Sequence, residues 1–376
     1  MTSQQTSAGR YIRLGFYLVL AAIILAGGYA SWIRFAKGLG ASTHLSDAVP
    51  WGLWVWFDLS LVPLSAGGFI FCALFFIFNF ERFQPLVRPA VLTAFTGYSV
   101  VVIALIYDLG LPHRFWHPLV MWNYHSAMFE VAWCIALYLS VLGLEMSIPA
   151  AEGTRWPKTA GFLKKFCAAF ALVGAVLSIL HQSSLGTLFL LTPEKLSPLW
   201  YSSWLPILFL ASSLAGGTGF LILELLLAEK FLKAKFPEAL IRSLGKMMAA
   251  ALFVYLLLVL ADFTRAGKWH LLASDSKGIT SFAAEIFLGV ILPLALLFFR
   301  KTRATRTGLS LVSILSVTGV ILNRLNVTLV GFLLQNKAHY FPSWQEIAIT
   351  LMLTGFGLVL FVFVSRRLPI FQEESV

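Results

Sequence analysis

Residues 166–192 read FCAAFALVGAVLSILHQSSLGTLFLLT, and they decide the fold. The stretch holds no Asp, Glu, Lys or Arg. About 20 mostly apolar residues suffice for a helix to cross a bilayer. Polar side chains still crowd its second half, at His181, Gln182, Ser183 and Ser184. Nine similar stretches flank it, so spans are expected near 14–33, 52–79, 89–110, 125–148, 166–192, 202–228, 243–264, 280–299, 309–334 and 345–364. Loops of roughly 10–20 residues leave no room for a soluble domain. The expectation is one all-α polytopic membrane domain covering residues 1–376. The composition agrees: 59% hydrophobic residues, 12% charged and a mean hydropathy of +0.84 exclude an ordinary soluble fold.

The net charge of +11 is not a nucleic-acid signal, because its distribution alternates between loops. One set holds Arg10, Arg13, Arg82, Arg88, Arg155, Lys158, Lys164, Lys165, Lys230, Lys233, Lys235, Arg242, Lys246, Arg300, Lys301, Arg303, Arg306, Arg366 and Arg367, which is 19 of 28 basic residues. The other set holds Arg34, Lys37, Arg114, Lys195, Arg265, Lys268, Lys277 and Lys337. The positive-inside rule places the first set, and both termini, in the cytoplasm of a bacterial inner membrane. Anionic lipid at that face accounts for the charge. Small residues from Ala26 to Ser31 resemble a signal-peptide end, but cleavage would spoil the parity, so an uncleaved first helix is expected.

Cys72, Cys134 and Cys167 stand singly in apolar runs and read as small buried hydrophobes. No CxxC and no Walker A pattern occurs, so neither an iron–sulfur cluster nor nucleotide-driven pumping is expected of this chain. No metal site is expected.

The ionisable residues inside the spans gather toward the outer face. Asp58, Tyr107, Asp108, Glu130, His181, Asp262, Arg265 and Glu285 fall in outer halves or at outer ends, and Asn323, Arg324 and Asn326 lie mid-to-outer in their span. Only Glu145 and Glu224 approach the cytoplasmic side, as candidates for a proton path. Charge in hydrocarbon is costly, about 2.5–3.5 kcal/mol per residue on insertion scales. Simpler readings stand beside this one. Glu145 and Glu224 could rest at the headgroup level. Asp262 and Arg265, three residues apart, could pair locally or close a helix end. His125 could be interfacial. Arg324 could belong to a structural ion pair. His181 and Ser184 share a helix face and could be a polar packing seam. Ten of twelve tryptophans fall near the outer face, and the loop LPHRFWHPLVMWNY at 111–124 joins aromatic anchors to Arg and His, which is interface material.

Imidazole donates, accepts and titrates near neutrality, which suits a quinone carbonyl. Embedded acids with no electron store then suggest a quinone site fed by a partner. A b-type haem needs two facing histidines, and only His125 and His181 fall in spans. That cytochrome reading and a proton or ion transporter are the alternatives. No internal repeat supports the transporter.

Several segments resemble the NrfD/polysulfide-reductase membrane-subunit family, nearest to the HybB-type subunits of uptake nickel–iron hydrogenases. They are PWGLW at 50–54 through Asp58, QPLVRPA at 84–90 with Gly97-Tyr98, HQSSLG at 181–186, PLW at 198–200, NRLN at 323–326 and YFPSWQE at 340–346. The resemblance implies two four-helix bundles with flanking helices. It implies a quinone, menaquinone first, near the periplasmic face, and no haem. It implies a periplasmic ferredoxin-like iron–sulfur partner, with a hydrogenase, molybdopterin enzyme or multihaem cytochrome beyond it. By motif match it gives Asp58, His181 and Arg324 the quinone-site role. Asp108 joins them by position as a catalytic candidate; Tyr107, Glu130, Ser184, Glu285, Asn323 and Asn326 are expected to line the site.

Overall fold

The computed structural model describes residues 2–152, 157–274 and 276–371. Arg155 lies outside the described residues, as do the side chains of Arg10, Arg13 and Lys277. Among the described residues ten helices are long and apolar enough to cross a membrane: α1 Tyr17–Lys37, α2 Leu53–Phe76, α3 Glu81–Asp108, α4 Ala127–Glu152, α5 Cys167–Leu190, α6 Leu205–Leu232, α7 Glu238–Arg265, α8 Gly278–Phe298, α9 Arg306–Asn336 and α10 Trp344–Arg367. The chain is a multi-pass integral membrane protein. Several helices run a turn or more past their apolar stretches. Glu238 and Arg242 open α7 as an i,i+4 pair at 3.7 Å, continuing the helix where hydrocarbon is expected to end.

Helices α2, α3, α4 and α5 pack in sequence around one core, and α5 returns against α2. Helices α6, α7, α8 and α9 close a second ring. The rings meet where α2 packs on α6 and α9, and α5 on α6. Helices α1 and α10 pair with each other and lie against α3 and α2. These are the two four-helix bundles and flanking helices that the sequence suggested.

Close approach at the bundle interface depends on glycine. A Cβ on Gly67 would lie 2.3 Å from the Gly217 Cα, so α2 and α6 touch backbone to backbone there. Small residues at such crossings substitute for the hydrophobic drive that lipid does not supply. α2 also bends at this place, where Pro63 withholds an N–H and Gly67-Gly68 form a turn. Gly67→Val is expected to force the bundles apart and lower stability by about 1–3 kcal/mol or more. Thermal unfolding of the purified variant checks this.

The loops divide into two faces. Loops 38–52, 109–126, 191–204 and 337–343 interlock at one end. There Tyr340 accepts from the Leu53 N–H (2.8 Å), the Ser343 hydroxyl donates to Ser42 O (2.7 Å), and Arg34 reaches Leu109 O. We call this the aromatic face. The other end is the basic face, where Arg88 and Lys164 share Glu152 and Arg306 forks onto Glu229.

Candidate functional site

Four rings cap the seam between the bundles at the aromatic face. Trp51 meets Phe189 at 5.2 Å and Phe332 at 5.3 Å between centroids, and Phe189 meets Phe209 at 5.6 Å. These contacts set a register. α2 and α5 run antiparallel, with Trp51 opposite Phe189 and, deeper, Phe69 against Gly174. Asp58 follows Trp51 by about two turns. His181 precedes Phe189, and Arg324 precedes Phe332, by just over two turns. At 1.5 Å rise per residue, the backbones of all three lie about 10–12 Å below Trp51, Phe189 and Phe332, while the Arg324 side chain reaches Phe209.

At that common depth the side chains face two ways. His181 is 1% exposed, and its ring lies 5.6 Å from Tyr98 of α3, which stacks edge-on with Tyr138 of α4 at 4.5 Å. Neither ring nitrogen of His181 has a hydrogen-bond partner in the chain, nor does either polar atom of Gln182. Asp58 is 4% exposed, and both its carboxylate oxygens also lack partners. It lies within electrostatic range of Asp108. One turn above it, Trp54 packs on Tyr107 at 6.0 Å. We call the unpartnered Asp58 of α2 and His181 and Gln182 of α5, with the Tyr98 ring beside His181, the first-bundle centre. Buried polar groups are normally bonded, so a run of unpartnered ones under an aromatic lid suits a polar, planar guest.

Ser184 extends this centre upward and donates to Glu130, which is exposed. Tyr107 bonds Ser31 of α1 at 2.8 Å. Arg34, counted above among loop cations, is instead buried at 1% exposure. Its Nε donates to Tyr107 O at 2.7 Å, holding the end of α3 to α1. Tyr340, between α9 and α10, donates to Glu346. Burial first, and Glu346 second, push the Tyr340 phenol above its usual range, so it remains a donor.

Arg324 belongs to a second centre. Its guanidinium stands 3.6 Å over the Phe209 ring and donates to Phe209 O (3.2 Å), Ser212 Oγ (3.0 Å) and Asn323 Oδ1. Glu285 accepts from Asn323 (2.8 Å), Asn326 (2.7 Å) and Trp200 (3.1 Å). The charges of Arg324 and Glu285 sense one another without a direct bond. Two π-helical segments, Phe287–Ile291 and Asn326–Val330, adjoin the network and re-aim its side chains.

Asp262 does not pair with Arg265. It binds Lys268 at 2.7 Å and accepts from Ser202, while Arg265 reaches Ser203 over the Trp204 ring. Both sets of partners come from the loops beside the helix end. Glu145 and Glu224 are 7% and 8% exposed, so protein surrounds both carboxyls. Glu224 accepts from Thr93 of α3. His125 is exposed. Among the described residues no group of three or more His, Cys, Asp or Glu gathers to hold a metal. Gln182, Trp54 and Arg34 escaped the candidate set; HQSSLG and PWGLW hold the first two, but nothing in the local sequence says which helix face is inward. Tyr98 did carry a signal, in the Gly97-Tyr98 pair.

A family model described as polysulphide reductase, NrfD matches residues 41–335. A protein of Nitratidesulfovibrio vulgaris is 38% identical over 369 residues, covering 95% of this chain and 94% of its own length. The probable Ni/Fe-hydrogenase 2 b-type cytochrome subunit of Escherichia coli is 29% identical over 346 residues, 90% of this chain and 87% of that one. The menaquinone reductase integral membrane subunit of Nitratidesulfovibrio vulgaris is 29% identical over 381 residues, 93% and 90% of the two.

Proposed function

The chain belongs to the polysulphide reductase, NrfD family, and from that premise we propose that it is the quinone-interacting membrane subunit of a respiratory oxidoreductase complex. The observation that carries this reading is the first-bundle centre. Asp58, His181 and Gln182 are each at least 96% buried, and all their polar side-chain atoms are unpartnered. A quinone headgroup offers two carbonyls to such groups and an isoprenoid tail to lipid. A relative that covers most of this chain is named for menaquinone reductase, which favours menaquinone as the ligand.

In this reading His181 donates to one carbonyl, and Asp58, backed by Asp108, holds a proton for the other. Trp51 and Phe189 exclude water from above. Arg324 stands at the same depth across the seam and acts as a fixed positive charge, not as a direct ligand. Glu145 and Glu224 remain the inner candidates for proton supply. A bound quinone would supply the two-electron chemistry; the chain supplies orientation and protons.

Electrons would come from a partner docked on the aromatic face, which we place in the periplasm of the inner membrane, with both termini in the cytoplasm. Trp122, Tyr124 and Phe341 are 68%, 78% and 76% exposed there, as rigid anchors of an interface are. The family and the reductase and hydrogenase names of its relatives favour redox partner subunits, with a ferredoxin-like iron–sulfur protein the first expectation. Hydrogenase, molybdopterin or multihaem subunits would lie beyond it.

Haem fits these residues poorly. His181 is the only buried histidine among the described residues, so two facing imidazoles are not formed. Dithionite-reduced spectra of the purified chain are expected to lack an α-band; a clear band would favour a cytochrome. The quinone reading is tested by titrating a short-tailed naphthoquinone against tryptophan fluorescence. Wild type should saturate, and Asp58→Asn should weaken binding at least about tenfold. Equal affinity in the two would count against this site.

A further inference from the structure

A cavity of about 410 Å³ opens at the basic face among α2, α3, α4, α5 and the segment after α10. Phe75, Val91 and Phe236 wall it, and the exposed Lys164 and Lys235 stand beside it with Arg88. Lys164 and Arg88 share Glu152 at the end of α4. Glu145 lines the same cavity two helical turns deeper, about 10 Å inside that end. It is 7% exposed, and its Oε2 has no partner in the chain. Cys167, half-buried, lines the cavity too, and Cys72 lies within electrostatic range of Glu145.

We propose that this cavity is a water-filled vestibule that makes Glu145 the proton-exchanging acid of the basic face. An acyl chain in the same space would leave Oε2 unpaired in hydrocarbon, which is costly. Water satisfies it, and the volume far exceeds the ~10–15 Å³ that one water needs. The basic side chains supply polar partners at the mouth. Glu224 also keeps one unpartnered oxygen, but its other accepts from Thr93 and it does not line this cavity. The use of the vestibule in quinone chemistry rests on the function proposed above; its water content does not.

Thiol accessibility tests the water directly. In sealed vesicles, a variant with Cys72→Ser and Cys134→Ser keeps Cys167 as its sole thiol. Val91→Cys in a cysteine-free background places a thiol on the cavity wall, and Val101→Cys, buried at 1% exposure and not lining it, serves as the control. A membrane-impermeant charged methanethiosulfonate should modify Cys167 and Val91→Cys from the basic face alone, at least about tenfold faster than Val101→Cys. Reaction only with a lipid-soluble maleimide would mean acyl chains fill the cavity. Reaction with neither reagent would mean it is closed. Either result overturns the vestibule.

Infrared difference spectra across a pH titration test the acid. A deuterium-sensitive carboxyl band should vanish in Glu145→Gln and persist in Glu224→Gln. The reverse pattern assigns exchange to Glu224 and overturns the proposal. Neither readout requires quinone turnover, so failure here leaves the quinone site standing, and failure there leaves the vestibule standing.

Discussion

Replacing His181 with alanine is expected to lower quinone-linked turnover by about 10²–10⁴-fold while the protein still assembles. The expectation follows from what His181 touches. Its two ring nitrogens bond nothing in the chain, so truncation strands no partner. The loss is a buried ring beside Tyr98, and a polar guest or water can fill part of that space. A residue that merely cemented α5 to α3 would behave in the opposite way, with stability falling and turnover per folded molecule unchanged. His181→Gln separates binding from proton transfer. An amide donates and accepts but does not titrate, so quinone affinity should recover more than kcat does. Normal turnover in His181→Ala would sink the assignment.

Arg324→Met is expected to destabilise the fold by about 3–5 kcal/mol, the usual consequence of removing one partner from a buried charged network. Arg324 is fully buried, stacked on Phe209 and bonded to Phe209 O, Ser212 and Asn323. Its loss leaves Glu285 among Asn323, Asn326 and Trp200 with no cation near. Arg324→Lys should rescue only part, because an ammonium cannot reproduce the planar stack and fork. Adding Glu285→Gln to Arg324→Met should recover part of the stability by removing the stranded acid. Thermal unfolding in nanodiscs measures each step. An Arg324→Met protein as stable as wild type would show that the second centre is not structural.

Much of the fold is legible because charge avoids hydrocarbon. Each of the ten spans shows as an apolar stretch with few charges, whatever its neighbours do. Helix ends are less legible: Glu238 and Arg242 look like loop and continue a helix. The one-sidedness of the polar residues follows from counting alternate loops, and the grouping of loops at two ends agrees with that counting. What cannot be read from one chain is the azimuth of a helix. Asp58, His181 and Arg324 share a depth, and register reasoning could have found that. The direction each side chain faces depends on rotations set by contacts such as Gly67 with Gly217 and Trp56 with Ile321 O. The same limit hid Arg34, whose acceptors lie at the end of α3, and the partners of Asp262, which come from Ser202 and Lys268.

Photo-cross-linking with an azido-naphthoquinone tests the central claim most directly. The account predicts label on peptides of α2, α3 and α5 around Asp58, Tyr98 and His181, lost when unlabelled naphthoquinone competes. Label confined to α8 and α9 around Glu285 and Arg324, or spread over lipid-facing surfaces without competition, would contradict it.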